Sequence, residues 1–539
     1  MKIRFLGSAL PIFALLIFLV NGCVKTDHLP IFETEMRYKT LTDQQDSVEQ
    51  PTMQALFTYL ETVEPINSEN LDLTVDRAIT LAMANNRDLK IQQVNPELAS
   101  TLEDIERGVY DPELFGELQF YKEASSEAAA SGGRNTVKEN DQTSLLGLRQ
   151  KLPTGTTLEA SVGFDRSEVS SEALEHSSRV GLTITQSLLR GLGPTVNLVS
   201  LRQAQLGSAI SNYELRGFTE ALLAETETSY WDYVLAGQKI DIFKRSLAVA
   251  KQQLDEIEQR IEVGTLPRIE AAAAHAEVAR RQQALIDVHS TLEERRLRLL
   301  RLISPGRMRD FDLQLKAVST AEINPTQITD LDDRLLLAEK SRPDLSEARL
   351  RLKQNRLEII MTRNGFLPQL DLFINLGKTG YAESFSGSFK DSGGNSHDIN
   401  AGVKLSHYLF NQKAKAYDRA ARVSRYQASE SVENLKQLVE LDVRLAVNEF
   451  ERTRKQLTAT RATRLLQDET LKAEKERFDV GVSTALMVAQ AQRDLLLSTI
   501  DEAEAIINCR KALVGLYLAE GSLLERRGVR IDSPLRLYN

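Results

Sequence analysis

Between Asn411 and Val480 the chain runs for 70 residues without a glycine or a proline. At ~1.5 Å per residue a helix over that stretch is about 100 Å long, several times the width of an ordinary domain. Charged residues separate apolar positions such as Leu438, Leu445, Phe450, Leu457, Leu465 and Leu471, a pattern that predicts a packed seam beside a wet face. A shorter return helix is expected after Gly481, with Leu496, Ile500, Ala503, Ile507 and Val514 along one side. The same plan occurs earlier. Thr195 to Val263 contains Gly207, Gly217 and Gly237 but no proline. Both runs end in Val-Gly, where a left-handed glycine stops a helix and lets the chain turn back.

The recurrence extends to whole units and predicts an internal duplication. Asp88-Leu89 leads to Asp111-Pro112 in one half, and Asp344-Leu345 leads to Leu367-Pro368 in the other. Val180-Gly181-Leu182-Thr183-Ile184 before Ser187-Leu188-Leu189-Arg190 is matched by Ala401-Gly402-Val403-Lys404-Leu405 before Tyr408-Leu409-Phe410-Asn411. Arg260-Ile261-Glu262-Val263-Gly264 is matched by Arg477-Phe478-Asp479-Val480-Gly481. Each copy therefore orders its elements as helix, strands, very long helix, turn, helix.

Strand periodicity is clear in both copies. Leu370, Leu372, Ile374 and Leu376 alternate with polar neighbours, as do Ile399, Ala401, Val403 and Leu405, and Gly377 to Asn395 between them has the composition of a solvated loop. In the first copy Leu114, Gly116, Leu118 and Phe120 alternate likewise, with Val180, Leu182 and Ile184 answering them. That copy is longer by 35 residues, and the surplus is explained by an additional hairpin within 143–168, turning at Pro153-Thr154-Gly155.

Composition excludes several classes. Lys+Arg 67 against Asp+Glu 76 gives a net charge of −9, which supplies no basic footprint for nucleic acid. Cys23 and Cys509 are too few and too distant for a disulfide framework, and the six histidines show no metal-binding spacing, so no metal, cofactor or catalytic residue is assigned. No nucleophile constellation stands out, and an enzyme is not expected. Lys2 and Arg4 followed by the apolar run Leu6 to Val20 have the form of an export signal. The run ends in Val20-Asn21-Gly22-Cys23, which resembles a bacterial lipoprotein box with Cys23 as the lipidated residue; Val24 leans toward outer-membrane delivery.

No later stretch reaches ~18 consecutive apolar residues, so membrane insertion requires a β-barrel. The sequence supplies four strands, or six with the additional hairpin, whereas a closed bacterial barrel needs at least about eight. Copies of the chain must therefore pool their strands.

These residues resemble the TolC-like outer membrane efflux protein family, over roughly residues 71–522. The resemblance is carried by the two Asp-Leu helices leading to proline-initiated strands, the Leu188-Leu189-Arg190-Gly191 and Leu409-Phe410-Asn411 strand ends, and the Arg-x-x-Val-Gly tips. It implies an α+β membrane protein, internally duplicated, whose long α-helical hairpins form a periplasmic α-barrel and whose strands form a transmembrane β-barrel shared by a homotrimer. It further implies an outer membrane exit duct, lipid-anchored, working passively with a periplasmic adaptor and an inner-membrane pump in efflux or secretion. The competing expectation is a periplasm-spanning coiled-coil lipoprotein without a channel. The organisation expected is a signal peptide over 1–22, a lipid-anchored extension over 23–70, repeats over 71–320 and 321–522, and a C-terminal tail over 523–539.

By the same resemblance, Val263, Gly264, Thr265, Val480, Gly481, Val482 and Ser483 would meet adaptor hairpins, and Arg477, Phe478, Gln490 and Asp494 would lie at the periplasmic aperture. Met487 and Gln490 stand where family members often carry acids, which puts an acidic constriction in doubt, with Glu270 as a possible substitute. Trp231, with Tyr230 and Tyr233, is expected in a helical core, and Cys509 as a buried inert thiol.

Overall fold

The computed structural model describes residues 70–128, 134–169, 174–304, 311–323 and 325–529. The expected signal, Cys23 and most of the N-terminal extension lie outside them. Each repeat opens with two helices. In the first they are α1 (Val75–Asn85) and α2 (Arg87–Gly108), separated by Asn86, whose side chain accepts from Leu89 N at 3.0 Å and donates to Leu302 O at 3.3 Å. This is an N-cap that also fastens the helix start to a neighbour.

Six strands follow in two groups. The first copy contributes β2 (Glu113–Ala128), β3 (Arg134–Lys151), β4 (Thr156–Val169) and β5 (Glu175–Ser187); β1 (Asn70–Leu73) precedes α1. A short helix α3 (Pro194–Asn197) then leads into the hairpin of α4 (Val199–Glu262) and α5 (Ile269–Ile303), after which comes β6 (Gln314–Ala317). The second copy has α6 (Leu331–Ser341), α7 (Pro343–Asn364), β7 (Gln369–Ala382), a short helix α8 (Phe385–Asp391) and β8 (His397–Ser406). It closes with the hairpin of α9 (Gln412–Asp479) and α10 (Ala485–Ala519), followed by α11 (Leu523–Arg526). At 68 residues α9 is about 100 Å long, close to the length its glycine-free run predicts.

The membrane-type sheet is a meander in the order β2-β3-β4-β5-β7-β8, antiparallel throughout, and β5 with β7 joins the two copies. Cross-strand neighbours share a face, so the register defines two surfaces. One row runs Leu114, Leu148, Ala160, Leu182, Leu376, Ile399, and the row beside it Gly116, Leu146, Val162, Val180, ending in Lys378 and His397 on β7 and β8. The opposite surface carries Glu117, Gln119, Thr143, Ser161, Asp165, Arg179 and Asp398. An apolar face and a polar face on one sheet is the pattern of a wall between lipid and water. Within one chain the sheet stays open, with β2 and β8 at its edges.

The structure revises four expectations. β2 pairs with β3 rather than with β5, because the hairpin β3–β4 stands between them in the sheet. The segment from Gly377 to Asn395 is only partly loop. β7 continues to Ala382 because β5 is long enough to supply ladder partners as far as His176, and α8 packs on Gly380, where a Cβ would meet Ser388 O at 2.1 Å. The seam of α9 uses Val432, Val439, Val443, Phe450, Leu457 and Leu471, whereas Leu438, Leu445 and Leu465 are exposed. The tail's beginning is core, with Leu523 and Leu524 buried against Ile79, Leu223 and Val514.

A small parallel pair, β1 with β6, had no signal in the sequence. It is held to α4 by buried hydroxyls: Tyr230 Oη donates to Leu73 O at 3.0 Å, and Tyr233 Oη donates to Leu315 O. Trp231 is buried beside them, with the Arg510 guanidinium 5.1 Å from its ring. The aromatic trio is helical core, as expected. Cys509 is buried between Phe450, Leu457 and Ala505, where burial pushes its thiol above the ordinary range.

Candidate functional site: the paired hairpin tips

The tips where α4 turns into α5 and α9 into α10 have the same backbone chemistry. Gly264 N donates to Ile261 O at 3.0 Å and Thr265 N to Arg260 O at 2.9 Å; Gly481 N donates to Phe478 O at 3.0 Å and Val482 N to Arg477 O at 2.9 Å. These paired bonds form a Schellman closure, which requires a left-handed residue after the helix. Gly264 and Gly481 supply it at φ of 80° and 78°.

The side chains around the glycines point outward. Val263 and Val480 are each 74% exposed and Val482 78%, with Ile269, Leu486 and Met487 also exposed. Apolar residues at the extremity of a polar hairpin gain nothing from the chain's own core, and this is the arrangement expected of a docking knob. Thr484 caps α10, its hydroxyl accepting from Met487 N at 3.4 Å, and Ser483 Oγ donates to Glu474. Thr265 Oγ1 donates to Arg260 O at 2.8 Å. Thr265 and Ser483 thus hold the turns in shape.

The two hairpins are tied together here. Arg260 Nη2 donates to Asp479 Oδ1 at 2.8 Å, and its guanidinium carbon stands 4.9 Å from the Phe478 ring centre. Small residues let the helices approach behind this tie, with Ala485 and Ala489 of α10 facing Ala250, Ala273 and Ala274 of the first hairpin. Of the expected aperture residues, Phe478 lies under Arg260 and against the cluster of Leu471, Val488 and Ala491. Arg477 pairs within its own helix, to Glu474 at 3.4 Å. Gln490 is half-buried on α10 and Asp494 exposed. Glu270 is half-buried in the first turn of α5.

Sequence reasoning missed Arg260 and Asp479. The signal was present in the repeat itself, since Arg260 occupies the position of Arg477 and carries the same charge toward the other hairpin. Pairing could not be read from that alignment, because it depends on which face each helix turns toward its neighbour.

A second polar cluster ties the repeats together part-way along the long helices, away from the tips. Arg216 donates to Glu220 at 3.2 Å and to Glu525 at 2.6 Å; Arg342 donates to Asp344 at 2.7 Å and reaches Asp442 at 3.4 Å; Glu520 accepts from Arg334 and Arg526. Burial pushes the Glu220 carboxyl up to about 7 against the opposing pull of Arg216.

Comparison with known proteins agrees with this geometry. Residues 335–522 match the model of a family described as outer membrane efflux protein. The chain is 26% identical over 482 residues to outer membrane protein OprJ of Pseudomonas aeruginosa, covering 85% of this chain and 88% of that protein. Among solved structures it resembles the Campylobacter jejuni CmeC outer membrane channel, with a TM-score of 0.61 at 17% identity over 89% of this chain and 90% of that one. It also resembles the open state of the Neisseria gonorrhoeae MtrE outer membrane channel, with a TM-score of 0.57 at 21% identity over 83% and 89%. At these identities the solved structures show the fold.

Proposed function

We propose that this chain, whose residues 335–522 match the outer membrane efflux protein family, is a member of that family and that three copies assemble into an exit duct in which the sheets close a barrel and the hairpins close a helical tube beneath it. The observation that carries this reading is the open six-stranded sheet, apolar on one face and unpaired at β2 and β8. Each unpaired backbone group in hydrocarbon costs several kcal/mol, so a lone chain has no stable place in a bilayer. Joining β8 of one copy to β2 of the next removes both edges. The duct is a passive conduit of the outer membrane, fed by an inner-membrane pump through a periplasmic adaptor.

The tips are the docking end. Val263, Gly264 and Thr265 with Val480, Gly481, Val482 and Ser483 present exposed apolar knobs on rigid turns, which suits insertion between the ends of adaptor helices. The aperture is lined by Arg477, Phe478, Gln490 and Asp494, and its width is set by Arg260, whose bond to Asp479 holds the two hairpins at a fixed spacing. Cys23 carries lipid that tethers each copy to the membrane.

Extraction of the full chain from outer membranes tests the assembly. A heat-modifiable trimer with strong β signal and conductance in planar lipid films is expected; a water-soluble monomer without conductance overturns the reading in favour of a structural lipoprotein. Val482 replaced by a photo-crosslinking amino acid should capture the adaptor, and failure to do so with adaptor present removes the docking assignment. Palmitate incorporation that persists in Cys23→Ser rules out the anchor.

A further inference from the structure

The additional hairpin determines how wide the outer membrane segment is. We propose that β3 and β4 are wall strands, so that three copies close an eighteen-stranded barrel with a bore wide enough for polypeptide hairpins or bulky amphiphiles, leaving the helical tips as the size-limiting part. This rests on the trimeric reading above and adds to it the gauge of the pore.

The sheet itself carries the argument. β3 is paired along its length with β2 on one side and β4 on the other, and β4 with β5, so the hairpin is interior to the sheet. Its apolar residues, Leu146, Leu148, Leu158, Ala160, Val162 and Phe164, continue the apolar face of the strands beside them. Thr143, Ser161 and Asp165 continue the polar face. A hairpin folded away from the wall would have no reason to keep both alternations in register with its neighbours. Six antiparallel strands also leave β2 and β8 running in opposite directions, so that adjacent copies join antiparallel.

The apolar face spans the rows from Leu370 up to Phe164, which stands in the row of Gly380. At ~3.4 Å per residue and a tilt of ~40° that distance is about 25 Å along the barrel axis, near the height a membrane requires. On β7 itself Lys378 interrupts the face, in the row where β4 and β5 carry Val162 and Val180. At its upper limit the Phe164 and Phe385 rings meet with centroids 4.6 Å apart, and Phe385 and Phe389 of α8 are half-exposed, as aromatic residues at a membrane boundary are. Because α8 packs on Gly380 and Phe164, which share the apolar face, it sits outside the wall and leaves the bore open.

With ~4.8 Å between strands and a tilt of ~40°, eighteen strands enclose a backbone cylinder about 35 Å across, and wall side chains leave a bore of about 25 Å. Twelve strands leave only about 14 Å by the same geometry. A helix with its side chains is ~10–12 Å wide, so the wider barrel passes two side by side and the narrower one does not. On the bore side Phe115 and Phe373 lie flat over Gly147 and Gly402 of the adjacent strands, 2.5 and 2.6 Å from where a Cβ would stand, which keeps these rings against the wall.

Two measurements on the full-length protein in outer membranes decide the matter. Ala160→Cys with Leu182→Cys should form a disulfide on oxidation, and Leu114→Cys with Leu182→Cys should not. The reverse result, obtained in a trimer, means that β2 meets β5 directly and overturns this inference while leaving the trimer intact; loss of the trimer in the unsubstituted chain overturns the reading beneath it. Ser161→Cys should be labelled from outside by a maleimide polymer ~20 Å in diameter. Labelling by a small maleimide alone indicates the narrow barrel, and labelling by neither places Ser161 away from a water-filled bore; either outcome overturns the proposal.

Discussion

The two long helices α4 and α9 occupy equivalent places in the duplicated chain, their tip glycines 217 residues apart, yet their surroundings differ. α4 is packed on several sides. Through its middle it buries Leu222, Leu223, Glu227, Tyr230, Trp231 and Tyr233 against α1, α10, α11 and the β1–β6 pair. α9 buries a single seam and leaves Leu438, Leu441, Leu445, Leu465 and Leu466 exposed. At the positions equivalent to Trp231 and Glu227, α9 carries exposed Asn448 and Arg444. The two copies thus differ, with one helix specialised as the chain's internal axis and one with an apolar side left exposed. The groove between α9 and α10, lined by Leu445, Ala446, Ala512 and Gly515, lies on that side.

The sharpest way to break this contrast is to remove the axis. Trp231→Ala should destabilise the helical region by about 3–5 kcal/mol, while Asn448→Ala stays within about 0.5 kcal/mol, read from loss of helical signal on heating. Leu441→Glu with Leu445→Glu should abolish the trimer on native gels and leave helix content unchanged, because the load falls on assembly rather than on the chain. If the trimer persists, the exposed leucines are not its interface.

Gly264→Ala and Gly481→Ala should each cost about 1–2 kcal/mol, since both force an L-residue into the left-handed region. Equal costs would show that the duplication is intact at the tips even where the helices have diverged. Arg260→Ala should change stability by less than about 1 kcal/mol, being partly exposed, yet raise conductance by freeing one hairpin from the other. Arg477→Ala should leave conductance nearly unchanged, and equal effects would erase the difference between the two arginines.

The smallest effect concerns Glu220. Its carboxyl holds a proton more tightly in the folded chain than in the unfolded one, so its contribution to stability falls as pH rises from the ordinary carboxylate range to about 7 and is constant above that. Between pH 5 and 8 the unsubstituted protein should therefore lose more thermal stability than Glu220→Gln, and identical pH slopes would contradict it.

Much of the fold was legible because its signals are local. A helix declares itself through what it lacks, and 70 residues without glycine or proline leave few alternatives; strands such as Leu370 to Leu376 declare themselves through period two. The tip turns were legible for the same reason, since a Val-Gly pair after a long helix has one common backbone solution. The Arg260 to Asp479 bond, the burial of Leu523 and Leu524, and the β1–β6 pair were not legible, because each depends on partners distant in sequence. Four-residue strands carry too little pattern to register, and which leucines of α9 meet a neighbour depends on the helix's rotation.

The sequence alone determined the duplication, the long hairpins and the presence of strands with one apolar face, because each is written in spacing along a single element. Only the tertiary structure decided that the additional hairpin lies inside the sheet, that Arg260 rather than Arg477 joins the tips, and that α9 keeps an uncovered side. Those outcomes follow from register and rotation between elements, and the energies that fix them come from surfaces that exist only once the elements meet.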